Sequence, residues 1–155
     1  HHLYGLDYTV LRLANPYGER QRIDGVQGAV SVFLGKTLLR QPIQIWGDGT
    51  TARDYFHISD LVSAFMKVIE SEAPSKIYNI AGGRARSLND IVATIREVTG
   101  LLPEVRYLPA RKLDVPVNCL DVGLARRELD WRPEMPWEEG ITRTWEWLNA
   151  SKKHA

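Results

Sequence analysis

The sequence predicts an α/β fold, with α+β as the alternative, because short β-branched segments alternate with longer segments whose apolar residues recur at helical spacing. The composition, 44% hydrophobic and 25% charged over 155 residues, is that of a globular protein with one core. Nine segments follow in order: strand 8–14, helix 29–40, strand 43–46, helix 59–74, strand 76–81, helix 87–100, strand 104–108, helix 121–129 and helix 137–149.

The first three segments are set by local signals. Residues 8–14 are rich in β-branched and aromatic side chains and end at Asn15-Pro16-Tyr17-Gly18, a predicted turn. Residues 29–40 have apolar side chains at helical spacing. Residues 43–46 alternate apolar and polar side chains, and Gly47-Asp48-Gly49 then predicts a hairpin-like turn.

The next helices carry capping signals. Ser59 is the predicted N-cap of the fourth segment, which has an apolar stripe of Leu61, Val62, Phe65, Met66 and Ile69. Ser87 is the predicted N-cap of the helix that stops at Gly100.

The remaining segments follow from composition and periodicity. Residues 76–81 and 104–108 have the β-branched and aromatic content of short strands. Trp131 and Pro133 end the helix 121–129, and the last helix places Trp145 among its inward-facing residues.

Charge and composition exclude several classes of protein. Twenty Lys and Arg against nineteen Asp and Glu give a net charge of +1, too small for a protein that binds nucleic acid by neutralising phosphates. Charged residues interrupt every apolar stretch well before 18 residues, so no membrane-spanning helix is predicted. Cys119 is the single cysteine, which excludes an intrachain disulfide and fits a reducing compartment. No metal site is predicted, because Cys119 and the four histidines lack zinc-ligand spacing.

Two polar clusters in the first half of the chain carry residue types that bind nucleotides. Residues 15–21 follow a strand at the place where open α/β sheets bind ligands, although an Asn-Pro pair also fits a plain turn. Residues 46–57 combine the aromatic face of Trp46 with the guanidinium of Arg53, which suits a base and a phosphate. The alternative for this cluster is a hairpin with a core Trp46 and a surface ion pair between Arg53 and Asp54.

A third cluster lies at residues 111–118. Arg111 precedes Asp114 by three residues, a spacing that suits a phosphate and a ribose hydroxyl or, alternatively, only a solvated charge pair. His57, by contrast, has apolar neighbours on both sides and is predicted to be a buried histidine with satisfied hydrogen bonds rather than a catalyst.

Together and in this order, the clusters resemble the C-terminal half of the extended short-chain dehydrogenase/reductase family, the NAD-dependent epimerases and dehydratases of nucleotide sugars. The resemblance covers essentially the whole chain. It rests on six motifs: residues 11–21, 42–49, 53–61 and 78–83, Arg111 with Asp114, and residues 129–133.

The resemblance implies the C-terminal substrate-binding portion of a Rossmann-type fold. Residues 1–17 would form a late Rossmann strand and loop, and residues 18–155 a nucleotide-sugar-binding domain. It also implies that the chain lacks the N-terminal Rossmann half. Neither the family's glycine fingerprint nor its catalytic Tyr-x-x-x-Lys pair occurs here, so no catalytic residue is assigned.

Residue by residue, the resemblance implies a substrate site and one edge of a cofactor site. Its nucleotide-binding part is Val32 and Phe33 along the uridine, Gln44 and Trp46 around the uracil, Arg53 and Arg111 on the diphosphate, and Asp114 on the ribose. Its sugar and phosphate end is Asn15, Tyr55, Arg84 and Asn118, of which Arg84 and Asn118 depart from the family's pattern. Leu13, Ala14 and Pro16 would approach the nicotinamide.

For the intact protein, the resemblance implies NAD as cofactor and a UDP-sugar as substrate, with interconversion of UDP-glucose and UDP-galactose at C4. The chain alone would be inactive. A dehydratase, a decarboxylase and a nucleotide-sugar-binding module without catalysis are the alternatives. We expect a cytoplasmic homodimer that contacts neither nucleic acid nor membrane. We also expect the chain to self-associate, because helices that pack on the Rossmann sheet would have an exposed apolar face.

Overall fold

The structure, a computed structural model, describes residues 3–25, 27–72, 74–111 and 114–152. Strands and helices alternate along most of this part of the chain, which confirms the predicted α/β class. The elements are β1 (Val10–Leu13), β2 (Asn15–Tyr17), α1 (Ala29–Leu38), β3 (Ile43–Trp46), β4 (Ala52–His57), α2 (Ile58–Glu70), β5 (Ile77–Ile80), β6 (Ala85–Ser87), α3 (Leu88–Thr99), β7 (Val105–Leu108), β8 (Val117–Asn118), α4 (Gly123–Leu129) and α5 (Trp137–Lys152).

The strands of the described residues form three small sheets that are mostly parallel. β1 pairs with β5, and β3 pairs with β7, both in parallel. The third sheet is built around β4, which is parallel to β2 and β8 and antiparallel to β6. The β1–β5 sheet thus takes one strand from each of the two parts predicted for the chain, residues 1–17 and 18–155.

The turn predicted at residues 15–18 is wrong, because Asn15–Tyr17 is strand β2. The backbone N–H of Ala14 still donates to the carbonyl of Ile80, at 3.0 Å, and the next three residues pair with β4 instead. β2 pairs only with β4 among the described residues, and an edge strand tolerates Pro16. The Asn-Pro pair indicates only the local conformation, whereas the change of strand partner from β5 to β4 depends on residues far away in the chain.

The hairpin predicted at residues 47–49 is also wrong. β3 and β4 lie in different sheets, and β3 pairs with β7, some 60 residues later in the chain. Gly47 and Gly49 do adopt positive φ angles, 84° and 79°, so the chain does bend at the predicted residues. What the local signal does not specify is the partner of each strand.

Helix α3 confirms its predicted caps. The hydroxyl of Ser87 accepts the N–H of Asp90 at 3.0 Å, and the Asp90 carboxylate accepts the N–H of Ser87 at 2.8 Å. Gly100 ends the helix in the left-handed conformation, with a φ of 66°. In α2 the predicted cap is wrong: His57 is the N-cap, and its Nδ1 accepts the N–H of Ser59 at 3.2 Å.

The apolar stripe of α2 is only partly buried, in line with the expectation that a helix of this chain has an exposed apolar face. Leu61 is buried, but Val62, Phe65, Met66 and Ile69 are 48–74% exposed. The helix packs on β2 and β4 through its Leu61 side, and nothing in the described chain covers the other apolar side.

Two hydrophobic cores hold the elements together. The first joins α1, β3, α3 and α5 around Leu34, Ile45, Ile95 and Ile141. The second joins α2, β5 and α4 around Trp131, whose indole N–H donates to the carbonyl of Asp60 at 3.1 Å. The first core supports the candidate site, because α1 and β3 form its walls.

Candidate functional site

An open cavity of about 530 Å³ lies between helix α1, the end of β3 and the start of β4. It contains seven of the eleven residues predicted to bind substrate: Val32, Phe33, Gln44, Trp46, Arg53, Arg111 and Asp114. These residues come from four separate stretches of the chain, so their proximity is a result of folding and not of sequence spacing. We call this space the nucleotide cavity.

Trp46 and Arg111 contact each other at the rim of the nucleotide cavity. The guanidinium carbon of Arg111 lies 4.1 Å from the centroid of the Trp46 ring, within cation–π range. Trp46 is 42% exposed and is therefore not the core residue of the hairpin alternative. Because Arg111 covers one face of the ring, a base would stack on the other face or displace the guanidinium.

Arg53 is anchored to the backbone of the cavity wall. Its Nη1 donates to the carbonyl of Ala52 at 2.8 Å and to that of Val115 at 2.6 Å. Among the described residues it has no carboxylate within 4.0 Å, so the predicted surface pair with Asp54 is wrong. The anchored guanidinium keeps donors for an anion in the cavity.

Asp54 points away from the nucleotide cavity and is fully buried. Its carboxylate accepts the N–H groups of Gly82 at 2.8 Å and Gly83 at 3.0 Å, and that of Leu120 at 3.4 Å. The residue ties β4 to two loops, and so fixes the strand that carries Arg53.

Asp114 lines the same cavity as Arg111. Asp114 is exposed, and its backbone N–H donates to the carbonyl of Arg111 at 3.4 Å. The two side chains are not within ion-pair distance, which removes the solvated charge pair as the explanation of their spacing.

Lys36 also lines the nucleotide cavity, and the sequence reasoning missed it. Lys36 lies four residues, about one helical turn, after Val32 on α1. This spacing was the available signal, because it places an amino group on the same helix face as a predicted contact. Val32 and Phe33 form the apolar wall beneath it, and Phe33 is 6% exposed.

Four of the predicted substrate residues lie outside this cavity. Asn15 donates its side-chain N–H to the carbonyl of Asp54 at 2.9 Å. Asn118 lies in β8, in register with Arg53. Tyr55 and Arg84 line a second cavity of about 250 Å³, which we call the arginine cavity.

The residues predicted to approach a nicotinamide lie together where β1 ends and β2 begins. Leu13 is 40% exposed, and Ala14 and Pro16 are half-buried. They offer an apolar edge at the carboxyl ends of parallel strands, where α/β sheets bind nucleotides. They fit one side of a flat ring, but they include no cradle of backbone N–H groups for a diphosphate.

His57 is buried, as predicted, with 1% exposure, but its Nε2 makes no hydrogen bond to the described residues, so the predicted full satisfaction of the ring is wrong. Its Nδ1 lies 2.8 Å from the hydroxyl of Ser59, and its Nε2 lies 3.1 Å from a carboxylate oxygen of Glu19. Burial lowers the pKa of His57, and the charge of Glu19 partly opposes this. These contacts make it a structural residue at the start of α2.

The described part of the chain offers neither a metal-binding cluster nor a membrane-spanning helix. No group of three or more His, Cys, Asp or Glu side chains there is arranged to hold a metal ion. None of its helices is both long enough and apolar enough to cross a bilayer.

The fold and the two cavities define an α/β protein with a cation-lined site that suits a nucleotide. A model of the NAD dependent epimerase/dehydratase family matches residues 1–81, more than half of the chain. The chain belongs to this family.

Individual relatives match nearly all of the chain. It is 34% identical over 151 residues to a putative UDP-glucose 4-epimerase of Methanocaldococcus jannaschii, which covers 97% of this chain and 48% of the relative. It is 37% identical to a UDP-glucuronate 4-epimerase of Thermodesulfobacterium geofontis, over 95% of this chain and 45% of the relative. The chain therefore spans about half the length of these relatives.

A solved structure agrees with the fold. The crystal structure of UDP-glucose 4-epimerase from Thermotoga maritima with UDP-glucose superimposes with a TM-score of 0.90 at 37% identity. The match covers 97% of this chain and 48% of that chain. This similarity confirms the predicted kinship with extended short-chain dehydrogenases/reductases of the epimerase type.

Proposed function

We propose that this chain binds the nucleoside diphosphate of a nucleotide sugar in the nucleotide cavity. The observation that carries the proposal is the meeting of Arg53 and Arg111 at one cavity that also contains an exposed aromatic ring, Trp46. Each charge-assisted hydrogen bond from an arginine to a phosphate contributes about 1.5–3 kcal/mol. The two guanidiniums, neither paired with a carboxylate of the described residues, supply the charge for a diphosphate.

The rest of the cavity suits the nucleoside. Val32 and Phe33 give the apolar wall against which uridine would lie, and Gln44 presents its backbone beside the base at β3. Asp114 carries the acceptor oxygens that a ribose diol needs. Among the residues outside the cavity, Asn15 and Tyr55 would lie along the sugar and phosphate, with Arg84 and Asn118 at the sugar end.

For the intact protein we propose epimerisation at the sugar C4, with UDP-glucose and UDP-galactose as the pair. The UDP-glucose 4-epimerase relatives from three organisms support this reaction. Other relatives include a dTDP-4-dehydro-6-deoxyglucose reductase of Escherichia coli at 38% identity. A dehydratase or decarboxylase, or a binding module without catalysis, is therefore the second proposal.

NAD is the cofactor that we propose for the intact protein, as the family description implies. When bound, it supplies the hydride acceptor and donor for the sugar carbon. Leu13, Ala14 and Pro16 would contact the nicotinamide ring from their apolar edge. This chain's own contribution is to grip and orient the nucleotide, which leaves catalysis to residues that it does not contain.

The β1–β5 pair supports the proposed division of the chain. Two parallel strands alone form an unstable sheet, and parallel sheets are normally covered on both faces. We propose that β1 continues a larger Rossmann sheet, with α2 packed on it, and that residues 18–155, apart from β5, form the nucleotide-sugar part. Assembly as a homodimer in the cytoplasm belongs to the same proposal, to which the single unpaired Cys119 lends support.

Calorimetric titration of the 155-residue chain tests the proposal. UDP and UDP-glucose should bind saturably and more tightly than dTDP, and NAD should not bind. Circular dichroism checks that the chain is folded. A folded chain that binds NAD but not UDP would contradict the proposal.

A further inference from the structure

Residues 114–119, which we call the Asp114 segment, are not held by either hydrophobic core. All six residues are exposed, and even the apolar side chains of Val115 and Val117 are 54% and 60% exposed. None of the six packs against a core cluster. Burial of apolar surface therefore does not fix this segment, and its position depends on hydrogen bonds to the neighbouring strand β4.

Strand β4 holds the Asp114 segment along one side. The later part of the segment pairs with β4 as strand β8, and the backbone N–H of Ala52 donates to the carbonyl of Pro116 at 2.8 Å. Nearer to Asp114 the contact is made by a side chain, because Nη1 of Arg53 donates to the carbonyl of Val115 at 2.6 Å. Val115 directly follows Asp114. Among the described residues, this is the bond from β4 that lies nearest to Asp114 along the chain.

Arg53 can hold Val115 and a phosphate at the same time. A guanidinium has five N–H donors, two of which belong to Nη1. The carbonyls of Ala52 and Val115 both accept from Nη1, at 2.8 Å and 2.6 Å. Nη2 and Nε make no hydrogen bond to the described residues, so three donors remain for an anion in the nucleotide cavity. A phosphate can therefore bind without releasing the Asp114 segment.

Arg111 brings a second guanidinium to the same cavity but does not hold the segment in this way. Its side chain lies over the Trp46 ring and donates no hydrogen bond to the described residues. Its link to Asp114 is through the backbone, where the Arg111 carbonyl accepts the N–H of Asp114 at 3.4 Å. The two arginines proposed for the diphosphate thus differ in one property, the bond from the side chain to the Asp114 segment.

We propose that Arg53 is a positioning residue for Asp114 as well as a diphosphate ligand, and that it sets the preference of the cavity for ribose over 2′-deoxyribose. This inference rests on the proposed function, in which Asp114 accepts the ribose hydroxyls. An exposed segment without its anchor must lose conformational entropy before Asp114 can bind a hydroxyl. A 2′-deoxyribose lacks that hydroxyl, so loosening the segment weakens the ribose ligand selectively.

Titration of the chain with UDP and 2′-deoxy-UDP measures this preference, because the diphosphate is common to both ligands and cancels in the ratio of their affinities. The wild type should bind UDP about tenfold or more tightly than 2′-deoxy-UDP. Arg53→Ala should weaken both ligands and reduce the ratio to about threefold or less. Arg53→Lys keeps the charge and should recover part of both affinities. It should not recover the ratio, because an ammonium lacks the planar fork that spans the Val115 carbonyl and a phosphate.

Further variants separate the two roles of Arg53. Asp114→Ala should remove the preference, and adding Arg53→Ala to it should not lower the ratio further. Arg111→Ala should weaken both ligands but keep the ratio, because its side chain makes no bond to the segment. Arg126→Ala, at an exposed position on α4, is the control and should change neither quantity. Circular dichroism checks that each variant is folded.

The possible results contradict different claims. If the Arg53 variants weaken UDP and 2′-deoxy-UDP equally, Arg53 acts on the phosphates alone and the inference is overturned. A ratio that falls as far in Arg111→Ala as in Arg53→Ala would overturn it too, since the Val115 bond would then be irrelevant. Equal affinity of the wild type for the two ligands would overturn the inference but leave the diphosphate site standing. If neither ligand binds to the folded wild-type chain, the proposed function fails, and this inference fails with it.

Discussion

Single residues decide how far the nucleotide cavity is prepared for a ligand. Arg53 is held by two backbone carbonyls, whereas Arg111 is exposed and, among the described residues, contacts only Trp46 through its guanidinium. A fixed guanidinium loses little side-chain entropy when it binds a phosphate. We therefore expect Arg53 to set the position of the diphosphate and Arg111 to close over it.

The sequence predicted which residue types meet in the nucleotide cavity, but not how they are held. The motifs that follow one another in order along the chain predicted Trp46, Arg53, Arg111 and Asp114. The stacking of Arg111 on Trp46 depends on a loop that returns some 65 residues later, and no local signal encodes it. The position of Arg84 outside the nucleotide cavity likewise depends on residues far away in the chain, which no local signal encodes.

The buried His57 predicts a pH dependence of stability. Because burial lowers its folded-state pKa below the usual 6.5, the unfolded chain binds more protons between the two values. The contribution of His57 to the free energy of unfolding should be fully present above about pH 6.5 and should fall as the pH drops through this window.

Urea unfolding between pH 5.5 and 7.5 measures this effect in the wild type and in His57→Asn, which keeps a side-chain acceptor for the cap. The variant should have the smaller slope. His1, His2 and His154 are present in both chains and cancel. Identical slopes would show that His57 does not cause the dependence.

The buried carboxylate of Asp54 should contribute strongly to stability. Asp54→Ala leaves the N–H groups of Gly82 and Gly83 without their acceptor and should lower the free energy of unfolding by about 2–4 kcal/mol. Chemical denaturation measures the loss, with the exposed Glu97→Ala as the control, expected within about 0.5 kcal/mol. Equal effects of the two substitutions would refute the role given to Asp54.

At the scale of elements, the sequence predicted the helices that have apolar periodicity and capping residues. It did not predict which strands pair with each other. Helix α3 begins and ends where Ser87 and Gly100 indicate, because caps act within one turn. β4 escaped prediction because its sequence alternates poorly and its partners lie 30 to 65 residues away. The hairpin at residues 47–49 failed for the same reason.

The capping box of α3 gives a prediction at this scale. Ser87→Ala should lower the free energy of unfolding by about 1 kcal/mol, because the N–H of Asp90 loses its acceptor. Urea denaturation measures it, and Ser151→Ala near the end of α5 serves as the control. A change no larger than that of the control would mean that the cap contributes nothing here.

At the scale of the whole molecule, apolar side chains of α2 and of β1 lack a packing partner within the described chain. Phe65, Met66 and Ile69 of α2 and Val10 of β1 are all more than 40% exposed. Exposed apolar patches of this kind mark interaction surfaces. The Rossmann half that we propose for the intact protein would cover these side chains.

The exposed face of α2 predicts that the chain self-associates. Sedimentation at increasing concentration should show species larger than a monomer, and Ile69→Lys should shift the distribution toward the monomer by adding charge to the patch. Leu102→Lys, at an exposed position outside α2, is the control. A strictly monomeric wild-type chain at high concentration would count against this prediction.

The measurement that tests the central claim most directly is the affinity of the chain for UDP relative to uridine, in the wild type, Arg53→Ala and Arg111→Ala. The claim predicts that the wild type prefers UDP by about tenfold or more and that each variant loses most of this preference. Uridine affinity should be unchanged in Arg111→Ala or raised, because the covered face of Trp46 becomes free. Equal binding of UDP and uridine by the wild type, or an unchanged preference in both variants, would contradict the claim that these arginines hold a diphosphate.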